Sequence, residues 1–285
     1  MIAGRHVLVT GAGERSLGFA TARLLVDRGA EVTVTTRSGA SEVAERLGPG
    51  VVGHDLDLAD RGSVDAFARW YAAERGRLDV LVNNAGVHLD LRSTWREPQL
   101  VDGHEIHWRV NYLGTWHLTS RLLPLLEEAD DARVVNVVSK LHRRGSNAAL
   151  FDGVRPYDSW AAYGTSKLAL VHHASELGRR HPGVTGYALH PGEVYTRIAD
   201  RGLETSPALA RLRKVLAPVE RRVLRSPEDG AATTVYCVTA PGLAAGYYRD
   251  SAPADPSPDA RDEQVAARLW DETAAWLGTE QPERP

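Results

Sequence analysis

The chain has 285 residues, 43% hydrophobic and 25% charged, which is ordinary for a globular protein with a sizeable core. Its net charge of −3 and its scattered basic residues argue against nucleic acid as the main partner. No apolar run reaches the roughly 18 residues of a membrane span, and the single cysteine, Cys237, excludes an intrachain disulfide. A strand begins at Arg5, which leaves no space for a signal peptide. We therefore expect one cytoplasmic domain, residues 1–285, without a membrane partner.

The first predicted unit is a strand over residues 5–10, a glycine-rich turn over 11–18 and a helix that ends near Gly29. Glycines let a backbone approach a pyrophosphate, and the helix N-terminus offers N–H groups to it. A second strand over 31–36 completes a β-α-β unit. An acidic residue at its end would favour NAD, but Arg37 stands there and Arg15 adds a second cation. The sequence thus favours NADP(H) over NAD(H), with two solvated arginines as the alternative.

A third strand, residues 51–54, leads to two carboxylates before a helix over 60–76. We expect Asp57, which precedes Leu58, rather than Asp55 to accept a hydrogen bond from an adenine amino group. The alternative is that Asp57 or Asp60 caps the following helix.

The fourth strand, residues 78–82, ends in Asn83-Asn84-Ala85-Gly86. Side-chain amides at this position can lock neighbouring loops together, while Ala85 and Gly86 leave room for a flat ring. A long helix is predicted over 98–128, and it carries Asn111. This amide is either a satisfied core residue or a group that bends the helix and holds water. Alternating strands and helices predict a doubly wound parallel sheet with ligands at the strand C-termini.

The fifth strand, residues 133–138, ends at Ser139, which could donate a hydrogen bond to a carbonyl oxygen. A polar connection over 140–156 precedes a helix over about 157–180 that carries Tyr163 and Lys167. Residues four apart share a helix face, so the ammonium stands beside the phenol and favours its phenolate. Tyr163 is therefore a candidate acid/base.

The remaining chain begins with a sixth strand over 183–189 and a turn that starts at His190-Pro191-Gly192. An arginine-rich stretch follows, which we interpret as a substrate lid from about 193 to 226, with a solvated helical pair as the alternative. A helix is predicted to start at Ser226, and an amphipathic helix over 260–277 lies in a C-terminal tail of residues 247–285. No metal site is predicted.

Together these motifs resemble the short-chain dehydrogenase/reductase family, and most of all its retinol-dehydrogenase-like and WW-domain-oxidoreductase-like branch. The resemblance covers nearly the whole chain and implies a single Rossmann-type α/β domain. It implies a catalytic tetrad of Asn111, Ser139, Tyr163 and Lys167. It also implies a cofactor site made of Gly11, Gly13, Arg15, Ser16, Leu17, Gly18, Arg37, Asp57, Leu58, Asn84, Ala85, Gly86, Tyr163, Lys167, Pro191, Gly192, Val194 and Thr196.

The resemblance also assigns roles to the tetrad. Tyr163 is the acid/base, Ser139 orients the substrate oxygen, Lys167 holds the nicotinamide ribose and lowers the tyrosine pKa, and Asn111 supports a water relay. The implied function is NADP(H)-dependent interconversion of a ketone or aldehyde and an alcohol on a small molecule. Two alternatives are a non-redox lyase, isomerase or cyclase and a cofactor-binding regulatory protein. A homodimer or homotetramer is also implied, although the C-terminal tail could cover part of that surface.

Two departures from the family pattern bear on the site. The glycine loop is one residue longer than usual and has Ser16 where a glycine is expected, although a serine can donate to phosphate. Lys140 and Glu193 are charged where small or apolar residues are expected, and Arg143 and Arg144 lie nearby. These charges suggest a polar or polyfunctional carbonyl substrate, unless the side chains point to solvent.

Overall fold

The computed structural model describes residues 2–88, 97–193 and 225–278. Its strands are β1 (His6–Thr10), β2 (Glu31–Thr36), β3 (Val52–Asp55), β4 (Val80–Asn83), β5 (Leu100–Val101), β6 (His104–Glu105), β7 (Ala132–Val137), β8 (Val184–His190), β9 (Gly246–Arg249) and β10 (Ala252–Pro253). Eight of these strands form one sheet in the order β10-β9-β8-β7-β4-β1-β2-β3, parallel except for β10. The strands β5 and β6 form a separate antiparallel hairpin.

The helices are α1 (Leu17–Val26), α2 (Ala40–Leu47), α3 (Arg61–Glu74), α4 (Gly114–Glu127), α5 (Asn147–Asp152), α6 (Ser159–Arg180), α7 (Pro227–Thr239) and α8 (Glu263–Leu277). A π-helical stretch, Trp108–Leu113, runs directly into α4. Two short 3₁₀ turns cover Lys140–Arg144 and Asp259–Arg261. Among the described helices, none combines the length and the apolar character needed to cross a membrane.

The alternation of side chains along each strand builds one core on each face of the sheet. In β1, Val7 and Val9 pack with α1, α2 and α7, whereas Leu8 packs with α3, α4, α6 and α8. Because helices cover both faces, the central strands read as continuous apolar runs. The doubly wound parallel α/β sheet predicted from the sequence is confirmed as a single domain.

The site is positioned by the reversal of strand order at β1. From β1 the chain adds β2 and β3 on one side, then returns to place β4, β7 and β8 on the other. Loops leaving β1 and β4 therefore separate above the sheet and open a crevice at their C-terminal ends. The sequence predicts a ligand site at this crevice.

The prediction of an uninterrupted helix over 98–128 is wrong, because the β5–β6 hairpin occupies the first part of this range. Asp102 and Gly103 form the turn with φ of +53° and +75°, the left-handed pair that a two-residue hairpin requires. The connection over 140–156 is also more ordered than predicted, because it holds a 3₁₀ turn and α5. The edge strands β9 and β10 were not predicted. Most of the expected lid lies outside the described residues.

Candidate active site

The glycine loop after β1 is locked to the end of β4. Gly11 has φ of +69°, and a Cβ there would lie 2.7 Å from Ala85 Cα. A Cβ on Gly18 would lie 2.5 Å from the Asn84 amide nitrogen. That amide donates to the carbonyls of Thr10 (2.8 Å) and Gly11 (3.1 Å), while the Thr10 hydroxyl accepts from the backbone N–H groups of Asn84 and Ala85. As expected, the amide after β4 holds the two loops together.

The lengthened loop still delivers a helix N-terminus to the crevice. Ser16 caps α1 by accepting from Phe19 N–H (3.1 Å), and its hydroxyl donates to the Gly11 carbonyl (3.3 Å). Its hydroxyl is engaged within the loop, and donation to a phosphate stays a prediction. Leu17, the first residue of α1, is buried in the core. A Cβ on Gly13 would meet no atom within 4 Å, so space remains beside this helix end for an anion.

Two exposed arginines stand at the end of the crevice formed by β1 and β2. The Ala12 N–H donates to a carbonyl of β2 (2.9 Å), which ties the loop that carries Arg15 to the strand that precedes Arg37. The one carboxylate of the loop, Glu14, is paired with Arg46. Among the described residues, neither Arg15 nor Arg37 takes part in an ion pair. The positive charge expected for a 2′-phosphate site is therefore present.

The three carboxylates at and after the end of β3 accept different hydrogen bonds. Asp60 caps α3, and Asp55 accepts a hydrogen bond from the N–H of the first residue of α2 (2.8 Å). Asp57 accepts from Ala59 N–H (2.9 Å), which shapes the loop, and Leu58 is buried. The helix cap proposed as an alternative is thus Asp60, and adenine contact by Asp57 stays a prediction.

The reacting groups converge where β7 ends beside α6. Tyr163 is buried, and the Ser139 side chain lies near its hydroxyl. Lys167, one helical turn further along α6, is also buried and places its Nζ over the Tyr163 ring, 5.7 Å from the ring centroid. The same Nζ donates to the Val137 carbonyl (3.1 Å), at the end of β7. Strand and helix together bring the three predicted side chains to one point.

Burial dominates the electrostatics of this pair. It raises the pKa of Tyr163 to about 12, against the lowering effect of the Ser139 hydrogen bond. It also lowers the pKa of Lys167 to about 8, because an ammonium is costly to remove from water. Burial outweighs the other effects on the phenol, and a lowering of the tyrosine pKa by Lys167 stays a prediction. At neutral pH the phenol carries its proton.

Asn111 fixes the backbone beside the reacting groups. Its Oδ1 accepts from Val87 N–H (2.7 Å), and its Nδ2 donates to the Val87 carbonyl (3.0 Å) and the Ser166 hydroxyl (3.1 Å). A Cβ on Gly86 would lie 3.1 Å from Asn111 Oδ1 and 3.3 Å from Lys167 Nζ. Asn111 is therefore a satisfied buried group, as the first alternative predicts, and it also lies in the π-helical stretch.

The turn after β8 approaches the crevice from the other side. Pro191 leads into Gly192, whose φ of +90° suits glycine, and a Cβ there would lie 2.9 Å from the Arg225 side chain. Val194 and Thr196, the other predicted contacts in this turn, lie outside the described residues.

The charges expected to make the pocket polar are engaged with one another or with backbone. Lys140 forms an ion pair with Glu193, and both side chains are more than half exposed. Arg143 donates to a carbonyl of the C-terminal tail (2.7 Å), and Arg144 lies over a tryptophan ring (5.5 Å). The polar-substrate hypothesis thus loses its main support.

Two residues beside the site were not singled out from the sequence. Ser166 lies next to Lys167, so its hydroxyl, which accepts from Asn111, had a positional signal. His88 had less, since it follows the Asn-Asn-Ala-Gly motif by two residues, and yet its ring stacks on Tyr163.

The comparisons with known proteins agree with this geometry. The family described as short chain dehydrogenase matches residues 5–206. Retinol dehydrogenase 12 from Bos taurus is 37% identical, over 96% of this chain and 87% of its own length. An uncharacterised protein from Mycobacterium paratuberculosis superposes with a TM-score of 0.74 at 30% identity, covering 99% of this chain and 96% of its own. A 3-ketoacyl-(acyl-carrier-protein) reductase from Brucella melitensis, complexed with NADH, has a TM-score of 0.67 at 21% identity, covering 92% and 100%.

Proposed function

Because the chain belongs to the short-chain dehydrogenase family and is an oxidoreductase that uses a nicotinamide cofactor, we propose that it interconverts a carbonyl compound and an alcohol with NADP(H). The substrate is a small molecule. The observation that carries the proposal is the convergence of Ser139, at the end of β7, with the buried Tyr163 and Lys167 of α6, whose Nζ lies 5.7 Å from the Tyr163 ring centroid.

The residues of the crevice fit a nicotinamide dinucleotide phosphate. The open space at Gly13, beside the α1 N-terminus, suits the pyrophosphate, and Arg15 and Arg37 suit a 2′-phosphate. Asp57 is assigned to the adenine. When bound, the nicotinamide ring donates or accepts the hydride.

The chain's own contribution is proton transfer and orientation. In the reducing direction, Ser139 and Tyr163 both donate hydrogen bonds to the substrate carbonyl oxygen, and Tyr163 gives that oxygen its proton. The ammonium of Lys167, over the phenol ring, stabilises the phenolate that remains. In the oxidising direction the phenolate removes the alcohol proton. The Asn111 amide holds the Val87 backbone and so keeps the wall of the site in place.

We assign an uncharged carbonyl substrate to the site. The reason is that Lys140 and Glu193 neutralise each other, so neither presents an unpaired charge. Retinol dehydrogenase 12 is similar over nearly the whole chain, which makes all-trans-retinal the first compound to test, with an aromatic 1,2-diketone as the second.

The cofactor assignment is tested by titrating the protein with NADPH and NADH and following nicotinamide fluorescence. NADPH is expected to bind more tightly, and Arg37→Ala to weaken NADPH by about 10- to 100-fold, the worth of a hydrogen bond to a charged group. NADH affinity should stay unchanged. Arg28→Ala, an exposed arginine beyond the far end of α1, is the matched control. Tighter binding of NADH by the unaltered chain would exclude the assignment.

The chemical assignment is tested with Tyr163→Phe, which keeps the ring and removes the proton donor. Carbonyl reduction should fall by about 10²- to 10⁴-fold in kcat, while NADPH affinity is retained. The control is Tyr236→Phe, on α7, which packs on the opposite face of the sheet from α6. Full activity of Tyr163→Phe, or product formed without NADPH oxidation, would refute the proposal.

A further inference from the structure

The ring of His88 lies flat on the ring of Tyr163. The two centroids are 4.4 Å apart and the planes differ by 19°. His88 is itself buried, with 4% of its surface exposed. The tetrad described above does not account for this contact, which covers a face of the group that moves the proton.

His88 is held in place through its backbone and its ring. Its preceding residue, Val87, has both its N–H and its carbonyl bonded to the Asn111 amide. The Trp160 ring stands perpendicular to the imidazole, with centroids 4.7 Å apart, and the His107 ring meets it edge-on at 5.6 Å.

His107 is in turn anchored by a partly buried carboxylate. Its Nδ1 lies 2.7 Å from Glu105 Oε1, which also accepts from the Tyr157 hydroxyl (3.0 Å). The other oxygen, Glu105 Oε2, accepts from Trp108 N–H (2.9 Å). The side chain of His107 is fully buried and also stands edge-on to the Tyr163 ring at 6.0 Å. The β5–β6 hairpin and the π-helical stretch thus hold the histidine that backs His88.

We propose that His88 is a positioning residue for Tyr163, which it holds in the orientation that aims the hydroxyl at Ser139 and the substrate oxygen. This inference rests on the proposed function, because it assigns a partner to the same acid/base. An interaction of Ser139 with the phenol oxygen restrains that atom but leaves the ring plane undetermined. The stack with His88 fixes that plane, and a phenol displaced by about 1 Å costs on the order of a hundredfold in rate.

The test compares His88→Ala with His88→Phe in NADPH-dependent reduction of all-trans-retinal, or of the aromatic diketone if that is reduced faster. We expect His88→Ala to lower kcat by at least about tenfold, with KM and NADPH affinity changed much less. His88→Phe restores a flat ring without an imidazole and should recover most of the lost kcat. This rescue separates positioning from proton transfer by His88.

Two further variants keep the result interpretable. His181→Ala removes an imidazole that lies beside Trp270, beyond the C-terminal end of α6, and should leave kcat unchanged. If His88→Ala does not fold, Glu105→Gln releases His107 with the backbone intact and should lower kcat in the same direction.

The outcomes separate the two proposals. Unchanged kcat in His88→Ala and Glu105→Gln, with Tyr163→Phe inactive, would overturn the inference alone. Failure of His88→Phe to recover activity would overturn positioning by the ring. An active Tyr163→Phe would overturn the proposed function together with the inference.

Discussion

The ammonium of Lys167 is costly to bury. It donates to the Val137 carbonyl at 3.1 Å, and burial lowers its pKa from 10.5 to about 8. A group whose charged form is disfavoured by folding reduces stability wherever it remains charged. At this position, the charge that the proposed mechanism needs lowers the stability of the fold.

Lys167→Met should stabilise the cofactor-free protein while abolishing its activity. At pH 7 the lysine is protonated in both the folded and the unfolded chain, and only the folded chain bears the desolvation cost. We expect a gain of about 1–3 kcal/mol at pH 7. As the pH rises from about 8 toward 10.5, the folded amine loses its proton first, so the gain should shrink.

Urea unfolding at pH 7 and pH 9.5 measures this difference. The control is Lys140→Met, because that lysine is exposed and pairs with Glu193 at the surface. A stabilisation of Lys167→Met that is equal at both pH values would show that desolvation of the charge is not its cause.

Sequence alone predicted that Tyr163, Lys167 and Ser139 lie together, because their spacing on one helix, and at one strand end, dictates their proximity. Tyr163 and Lys167 are four apart in α6, and Ser139 ends the adjacent β7. Sequence alone could not identify His88, because its proposed role depends on a ring contact between the loop after β4 and α6. Nor could it give the tyrosine pKa, since burial outweighs the local charge pattern.

Helix α6 can carry the site because it lies directly on β8. A Cβ on Gly186 would lie 2.0 Å from the Ala174 carbonyl of α6, so a side chain there must push the helix outward. Gly178 lies on the same helix, but a Cβ there would meet its nearest atom at 3.8 Å. These two glycines form a matched pair with opposite expectations.

Gly186→Ala should destabilise the protein by about 1–3 kcal/mol through overpacking, and it should also lower activity because α6 carries Tyr163 and Lys167. Gly178→Ala should stabilise it by about 0.5–1 kcal/mol, because alanine favours the helix interior. Thermal unfolding and NADPH-dependent reduction report the two effects. Equal stability of both variants would contradict the close approach of α6 to β8.

The type of an element was predictable where its periodic hydrophobic pattern extends over many residues. The predicted boundaries were wrong where a short turn interrupts the pattern. The strands β1, β2, β4, β7 and β8 follow their β-branched runs closely. Residues 98–107 were assigned to a helix because the apolar pattern continues into α4, although Asp102-Gly103 is itself a hairpin signal. The strands β9 and β10 are short and depend on pairing, β9 with β8 and β10 with β9, so composition alone does not mark them.

At the scale of the molecule, the fold buries imidazoles on both sides of the site. Burial lowers the pKa of His172 to about 4, of His173 to about 3 and of His190 to about 4. In the core, the His173 ring forms a hydrogen bond with Asn136 (2.9 Å) and stacks on Trp270. These histidines are neutral in the folded chain, whereas in the unfolded chain they become protonated below about 6.5.

The protein should therefore lose stability as the pH falls below about 6.5, since there the unfolded chain binds more protons than the folded one. Each such histidine adds a slope of about 1.4 kcal/mol per pH unit between its folded pKa and 6.5. His172 tests this, because its Nε2 lies 3.0 Å from Asn147 Oδ1 and the amide of glutamine can replace that donor. Urea midpoints of the unaltered chain and His172→Gln at pH 7, 6 and 5 should diverge toward acid, with the variant losing less stability. Parallel decline of the two proteins would mean that His172 is not held neutral by burial and does not contribute to the acid sensitivity.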